Sequence, residues 1–379
     1  MVFPPDMIGR FMTFPFEALS ACRAELEAEA TINDGPAAFP RHGLDRLRAL
    51  GVLSAALPQA CGGHGFGTEA HGASGLLHML RLVGHGSLAL GRIVEGHVNA
   101  LRLIACYGTQ ARMAQVAAAV HDGALFGVWV TDGAQPLAME AGDGAVTLHG
   151  GKAFASGVGH VTHALVTAAT QGGNVHMLLV GVADTSRVHH GPDGLAGMRG
   201  AGTGRYDFTG MGVQADCMVG QAGDYLRQPE FSAGAWRAMA VALGGIERLA
   251  TVLREQLAAR GRAQAPAQQA RIGDALIAAE TAFLWTHRAA MLAAAPDRHA
   301  TGDIAATVNL ARLAVERAGL EVIGLVQRGL GLAAFVRTNP AERLLRDLAT
   351  YLRQPAPDET LCEAAGWFTH RDLPRMEAT

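Results

Sequence analysis

The chain of 379 residues has few cysteines, few aromatics and no concentration of positive charge. Its five cysteines, Cys22, Cys61, Cys106, Cys217 and Cys362, are an odd number, widely spaced and without a Cys-x-x-Cys pair. That pattern excludes a disulfide framework and a cysteine-built zinc site, and free thiols in a reducing compartment are the expectation. The 31 Lys and Arg are balanced by 34 Asp and Glu, for a net charge of -3, and are scattered without a block. A nucleic-acid partner is therefore not expected. No stretch reaches the ~20 consecutive apolar residues of a membrane span. The N-terminal stretch "MVFPPDMIGRFMTFPFEALSACRAELEAEA" has no basic segment leading into an apolar one. The reading is a cytoplasmic protein without a leader or a membrane span.

What is present is a large apolar fraction, 49%, enough for two or three domains with a sizeable core. The texture changes twice along the chain. Residues 1–123 read as an α-helical domain: Leu44, Leu47, Leu50 and Leu53 recur at helical spacing before Pro58. The run "SGLLHMLRLVGHGSLALGRIVEGHVNALRLIACYGT" predicts two long helices, apolar on more than one face, as bundle helices are. Residues 124–228 hold short runs rich in Val, Thr and aromatics between Gly, Asp and Asn turns, predicting a small β-barrel or sandwich of about seven strands. Residues 229–379 return to helical periodicity in four runs, an antiparallel four-helix bundle. The fold class is α+β, mainly α.

Within the β segment, "GKAFASGVGHVTHALVTAA" sets Lys152, Phe154 and Ser156 at alternate positions before a Gly/Ser turn. Glu95 and His97 are only two residues apart on a predicted helix, which points them to different faces and excludes a metal-ligand pair; His85 precedes them in the same run. No metal site is expected. His189 and His190 read as solvated turn residues, and Arg346 beside Asp347 as a structural ion pair.

The collinear segments "LRALGVLSAALPQACGGHGFG", "YGTQARMAQVAAAVHDGALFGVWVTD", "GKAFASG", "MRGAGTGRYDFTGMGV" and "QRGLGLAAFVRTNPAERLLRDL" resemble, over nearly the whole chain, the acyl-CoA dehydrogenase superfamily. The resemblance implies FAD held between the β domain and the bundle. Trp129, Thr131, Phe154 and Ser156 would face the isoalloxazine, with Phe154 on the ring and the hydroxyls at its polar edge. Arg260, Gln327, Gly329 and Gly331 would meet the adenine end of a neighbouring subunit's cofactor, implying a homodimer or homotetramer. Gly at such a turn lets backbone amides approach a pyrophosphate. His160, His163 and Arg199 would stand on the substrate side.

The implied activity is an FAD-dependent oxidoreductase acting on CH-CH groups, oxidising an acyl-CoA or related acyl thioester with hydride transfer to flavin N5. That reaction needs a carboxylate base facing the ring. The corresponding stretch "RDLATYLRQPAPDET" carries Gln354 and Pro355 at the expected place, with Asp358 and Glu359 the nearest carboxylates; the alternative position, near Arg260, offers only Gly and Arg. The usual thioester-holding signature is replaced by "VTDGAQPLAMEAGDG", where Asp132 substitutes for a Glu. Two other readings follow. One is a reduced-flavin-dependent monooxygenase of the same fold, which needs no such base and is similar in "FASGVGH", "MRGAGTG" and "NPAERLLRD". The other is a catalytically silent paralogue. Either enzyme would take a small-molecule substrate together with an electron acceptor or a flavin reductase.

Overall fold

A computed structural model of the chain describes residues 14–35, 38–142, 144–190 and 194–375. Much of the N-terminal stretch read for a leader, and part of the turn after His190, lie outside these residues. The N-terminal layer comprises α1 (Phe16–Ala21), α2 (Arg23–Ile32), α3 (Arg41–Ala49), α4 (Val52–Ala55), α5 (Ala73–Gly86), α6 (Leu88–Tyr107) and α7 (Gln110–His121). The Leu44–Leu53 spacing is interrupted at Gly51, whose φ of 75° ends α3 and starts α4. Ser87 caps α6 by accepting a hydrogen bond from the Leu90 amide, 3.2 Å. The two long helices are those the sequence predicts.

Ten strands follow among the described residues, rather than about seven. They are β1 (Phe126–Trp129), β2 (Ala138–Ala141), β3 (Ala145–His149), β4 (Gly151–Ala155), β5 (His163–Ala169), β6 (Val175–Gly181), β7 (Val188–His189), β8 (Gly204–Asp207), β9 (Met211–Gln214) and β10 (Met218–Val219). Seven form one sheet in the order β10-β6-β5-β2-β3-β9, with β1 parallel to β5; the other three form a sheet β4-β8-β7. The two-residue strands β7 and β10 are too short to carry a periodic signal, so the sequence underestimates the number.

The C-terminal part holds a short α8 (Glu230–Ala233), then α9 (Ala235–Ala259), α10 (Pro266–Ala294), α11 (Thr301–Leu330), α12 (Pro340–Tyr351) and α13 (Pro357–Phe368). The four runs read from sequence are α9 to α12. Helix α13 is additional, started by Pro357 in its first turn, where a missing N–H costs nothing. By length and composition α11 is apolar enough to cross a membrane, but here it packs against α9, α10 and α13.

The helical layers are not separate. Helix α5 lies directly on α9 because Gly84 and Gly244 meet there: a Cβ on Gly84 would sit 2.2 Å from the Val241 carbonyl oxygen, and one on Gly244 2.2 Å from that of Arg81. The β segment is tied to α12 by the loop before β8. The Met198 amide donates to Asp347 Oδ1 at 2.6 Å, while Arg346 donates to the Ala196 carbonyl at 2.8 Å and pairs with Asp34 at 2.6 Å. Arg346 and Asp347 therefore join three parts of the molecule.

Candidate functional site

Alternation along β4 would place Lys152, Phe154 and Ser156 on one face. The structure separates them. The β4–β8 register shifts between Lys152 and Ala155, and Phe154 takes a φ of 50°, which turns its ring out to 63% exposure while Lys152 is 1% exposed. Such a φ is costly for a bulky residue, and strain of this kind gathers at functional sites.

The buried Lys152 ammonium donates to Asp132 Oδ1 at 2.6 Å, to the Val130 carbonyl at 2.9 Å and to the Thr167 hydroxyl at 3.1 Å. It pins the segment after β1, on which Thr131 is exposed. Phe154 borders a cavity of about 330 Å³ with Asp132, Gly133, Ala134, Leu195 and Arg205. A second cavity of about 360 Å³ shares Gly133, Ala134 and Arg205. The Arg205 side chain has no ion pair among the described residues and stands between the two spaces.

Ser156 faces the helical layer. Its carbonyl accepts from Trp129 Nε1 at 3.1 Å, and its hydroxyl accepts from Arg92 Nε at 3.3 Å. Arg92 is ion-paired with Glu95 Oε2; Glu95 Oε1 accepts from Asn99 Nδ2; Asn99 Oδ1 accepts from Arg237 Nε. The positions 92, 95 and 99 fall on one face of α6. This polar stripe on a largely apolar helix is the signal a sequence reading could have used and did not. Beside it, the Tyr351 hydroxyl is buried without a partner, and burial pushes that phenol well above its usual range. Trp129 and Arg92 leave only about 10 Å³ beside Ser156, room for about one water.

The glycines of "SGVGH" have φ of 68° and 81° at Gly157 and Gly159, and the turn docks on the loop before β8: Gly157 N–H donates to Ala201 O at 2.8 Å. This turn carries His160 to the N-terminal layer, where its ring stacks on Phe39 at 3.8 Å. Burial, then Arg41 and His190, lower its pKa to about 4, so the ring is neutral at pH 7. His163 stacks on Phe126 at 5.0 Å, with Nδ1 3.0 Å from the Thr162 hydroxyl. Arg199, half-buried in the same loop, has no ion pair among the described residues.

His97 is sealed inside, its Nδ1 accepting from the Phe126 amide at 3.1 Å and its Nε2 3.0 Å from the Leu53 carbonyl, which joins α4, α6 and β1. Glu95 and His97 make no metal pair, and among the described residues no group of three metal-ligating side chains is assembled. The five cysteines are all free.

The remaining residues named from sequence lie elsewhere. Asp358 and Glu359 are exposed in the first turn of α13, which packs on α11; they line none of these cavities and share no hydrogen bond or ion pair with the residues around Ser156. Arg260 closes α9 and donates to the Leu330 carbonyl at 3.3 Å, beside half-buried Gln327, buried Gly329 and the exposed turn at Gly331, φ 62°. Leu332, Phe335 and Val336 stand exposed beyond it. Arg260 and the glycine turn are thus together, facing outward.

Similar solved structures agree on the architecture. Dibenzothiophene monooxygenase TdsC from Paenibacillus sp. A11-2, solved with FMN and indole, matches at a TM-score of 0.83 with 17% identity, over 94% of this chain and 97% of that one. Butyryl-CoA dehydrogenase from Megasphaera elsdenii matches at 0.81 with 17% identity, over 98% and 100%. Methanesulfinate monooxygenase MsuC from Pseudomonas fluorescens matches at 0.80 with 19% identity, over 96% and 99%. No protein-family model and no curated protein matches the sequence. The chain has the acyl-CoA dehydrogenase fold, mainly helical with a β-rich middle, as the sequence motifs imply.

Proposed function

We propose that the protein is a flavin-dependent oxygenase that receives reduced flavin from a separate reductase and acts on a small-molecule substrate. The observation that carries this reading is the state of the carboxylate nearest Ser156. Glu95 is buried, with Oε2 ion-paired to Arg92 and Oε1 hydrogen-bonded by Asn99, so each oxygen already holds a donor, which argues against its serving as a free base. Asp358 and Glu359 are outside the cluster, and the space beside Ser156 has no room for an acyl chain. The acyl-CoA dehydrogenase reading therefore has support from the fold and none from its base.

The residues fit an isoalloxazine. Phe154 offers an exposed flat wall beside an open cavity, Thr131 offers an exposed hydroxyl on the adjoining segment, and Lys152 holds that segment in place. Arg205 suits the phosphate of a flavin nucleotide, FMN or the nearer phosphate of FAD. A bound flavin supplies the redox chemistry; the protein positions it, and Arg92, Glu95, Asn99 and Arg237 give the facing wall a polar character. TdsC and MsuC, both monooxygenases, are consistent with this reading.

Copies of the chain would associate through the apolar face of α10, where Leu276, Ile277 and Leu284 are exposed, bringing Arg260 and the Gly331 turn near a neighbour. A reducing, cytoplasmic setting suits five free thiols. The test is anaerobic. Photoreduced FMN and FAD are titrated into the purified protein, and butyryl-CoA is then added to the complex with oxidised flavin. Saturable binding of reduced flavin with no bleaching by the thioester is expected.

A further inference from the structure

A cavity of about 400 Å³ lies away from the Phe154 wall, between the loop before α5, the start of α9 and the end of α10. Its walls combine alanines and Trp236 with charged side chains of both signs, Glu69, Glu230 and Asp297 against Arg102, Arg237 and Arg298. Two of its cationic residues differ sharply in how they are held. Arg102 is committed: its guanidinium reaches both oxygens of Glu230, with Nε to Oε2 at 3.1 Å. Arg237 is only 6% exposed, yet it has no carboxylate partner among the described residues. Its Nε donates to Asn99, while Nη1 and Nη2 have no hydrogen-bond acceptor among the described residues and are not among its sealed, partnerless atoms; Arg237 lines the cavity.

A buried guanidinium without an anion is expensive, and the Nη pair is a ready-made fork for a planar two-oxygen anion. It remains charged near neutral pH: burial and then Arg102 lower its pKa to about 10, against the attraction of the non-contacting Glu230 and Glu95. The volume suits a compact molecule.

We infer that this cavity is a binding site for a small organic carboxylate, its two oxygens on the Nη atoms of Arg237 and its apolar body against Trp236 and the alanine walls. The cavity takes no wall from the β segment and meets the polar face beside Ser156 only through Arg237, whose Nε donates to Asn99.

Benzoate is the probe, with benzyl alcohol as the uncharged control and inorganic phosphate as the tetrahedral one, each added to the flavin-free full chain. At a hundredfold excess over its Kd, benzoate is expected to raise the melting temperature by about 3 °C, and benzyl alcohol and phosphate not at all. Arg237→Gln removes the anion's partner; Ala294→Leu fills the space from a half-exposed helix position and leaves Arg237 in place. Both are expected to abolish the benzoate shift, and Ala294→Leu, which touches none of the residues around Ser156, is expected to keep flavin binding. If Arg237→Gln does not fold, the Ala294→Leu result decides. A benzoate shift that survives in whichever of these variants fold, the same shift with phosphate or benzyl alcohol, or no shift in the wild-type chain would each overturn the proposal. Loss of flavin binding in the wild type would leave it standing.

Discussion

Phe154 holds a backbone conformation that a glycine would adopt more readily, and it does so on the surface, where packing gives little in return. Replacing it with glycine should relieve roughly 1 kcal/mol of strain and raise the melting temperature slightly, while flavin affinity falls about tenfold. Thermal melts and flavin titration of the same Phe154→Gly protein check both halves. Lys152 has the opposite character: buried, hidden in the motif, and structural. Lys152→Met should destabilise the fold by about 2 kcal/mol by leaving the Val130 and Asp132 oxygens without their charged donor, measurable by urea unfolding. Arg205→Gln should weaken FMN by about tenfold and leave riboflavin unchanged, because only the former has a phosphate. The sequence made Phe154 and Ser156 legible as a pair but concealed that they face different ways. Strand alternation assumes an unbroken register, and the shift in β4 comes from pairing with β8, some fifty residues on. Arg92, Asn99 and Arg237 were missed for a similar reason: each is an ordinary helix residue until α6 and α9 are brought together.

Among the elements, the contact of α5 with α9 sets how closely the N-terminal layer approaches the bundle. Gly244→Ala should cost about 3 kcal/mol, since the added methyl meets the α5 backbone rather than a movable side chain. The helices themselves were readable because their apolar periodicity runs for many turns, whereas β7 and β10 are two residues long and α13 begins among prolines. The buried histidines of these elements set an acid limit. His97 on α6 and His85 on α5 are both lowered from 6.5 to about 4, chiefly by burial. Their folded pKa lies below the unfolded one, so the unfolded chain takes up protons first. Stability should be full above about pH 6.5 and fall as the pH drops toward 4, with His97 alone accounting for roughly 3 kcal/mol. Urea midpoints measured across that window should decline in the wild type and less steeply in His97→Gln.

For the whole molecule, the fold joins a flat exposed aromatic, a pinned loop and a polar helix face across three segments that are far apart in sequence. The order of those segments was plain from texture and motifs; what the arrangement does was not, because the same fold serves a butyryl-CoA dehydrogenase and two monooxygenases. Self-association through α10 should be visible by analytical ultracentrifugation and be weakened in Ile277→Lys, whose side chain is now 68% exposed. The central claim is that the site uses reduced flavin without a carboxylate base. Its most direct test is the anaerobic spectrum of the flavin-loaded protein after addition of butyryl-CoA or octanoyl-CoA, followed by titration with reduced FMN. An unchanged visible band with thioester and saturable uptake of reduced flavin is the predicted result. Bleaching of the band by either thioester, or failure to bind flavin in both redox states, would contradict it.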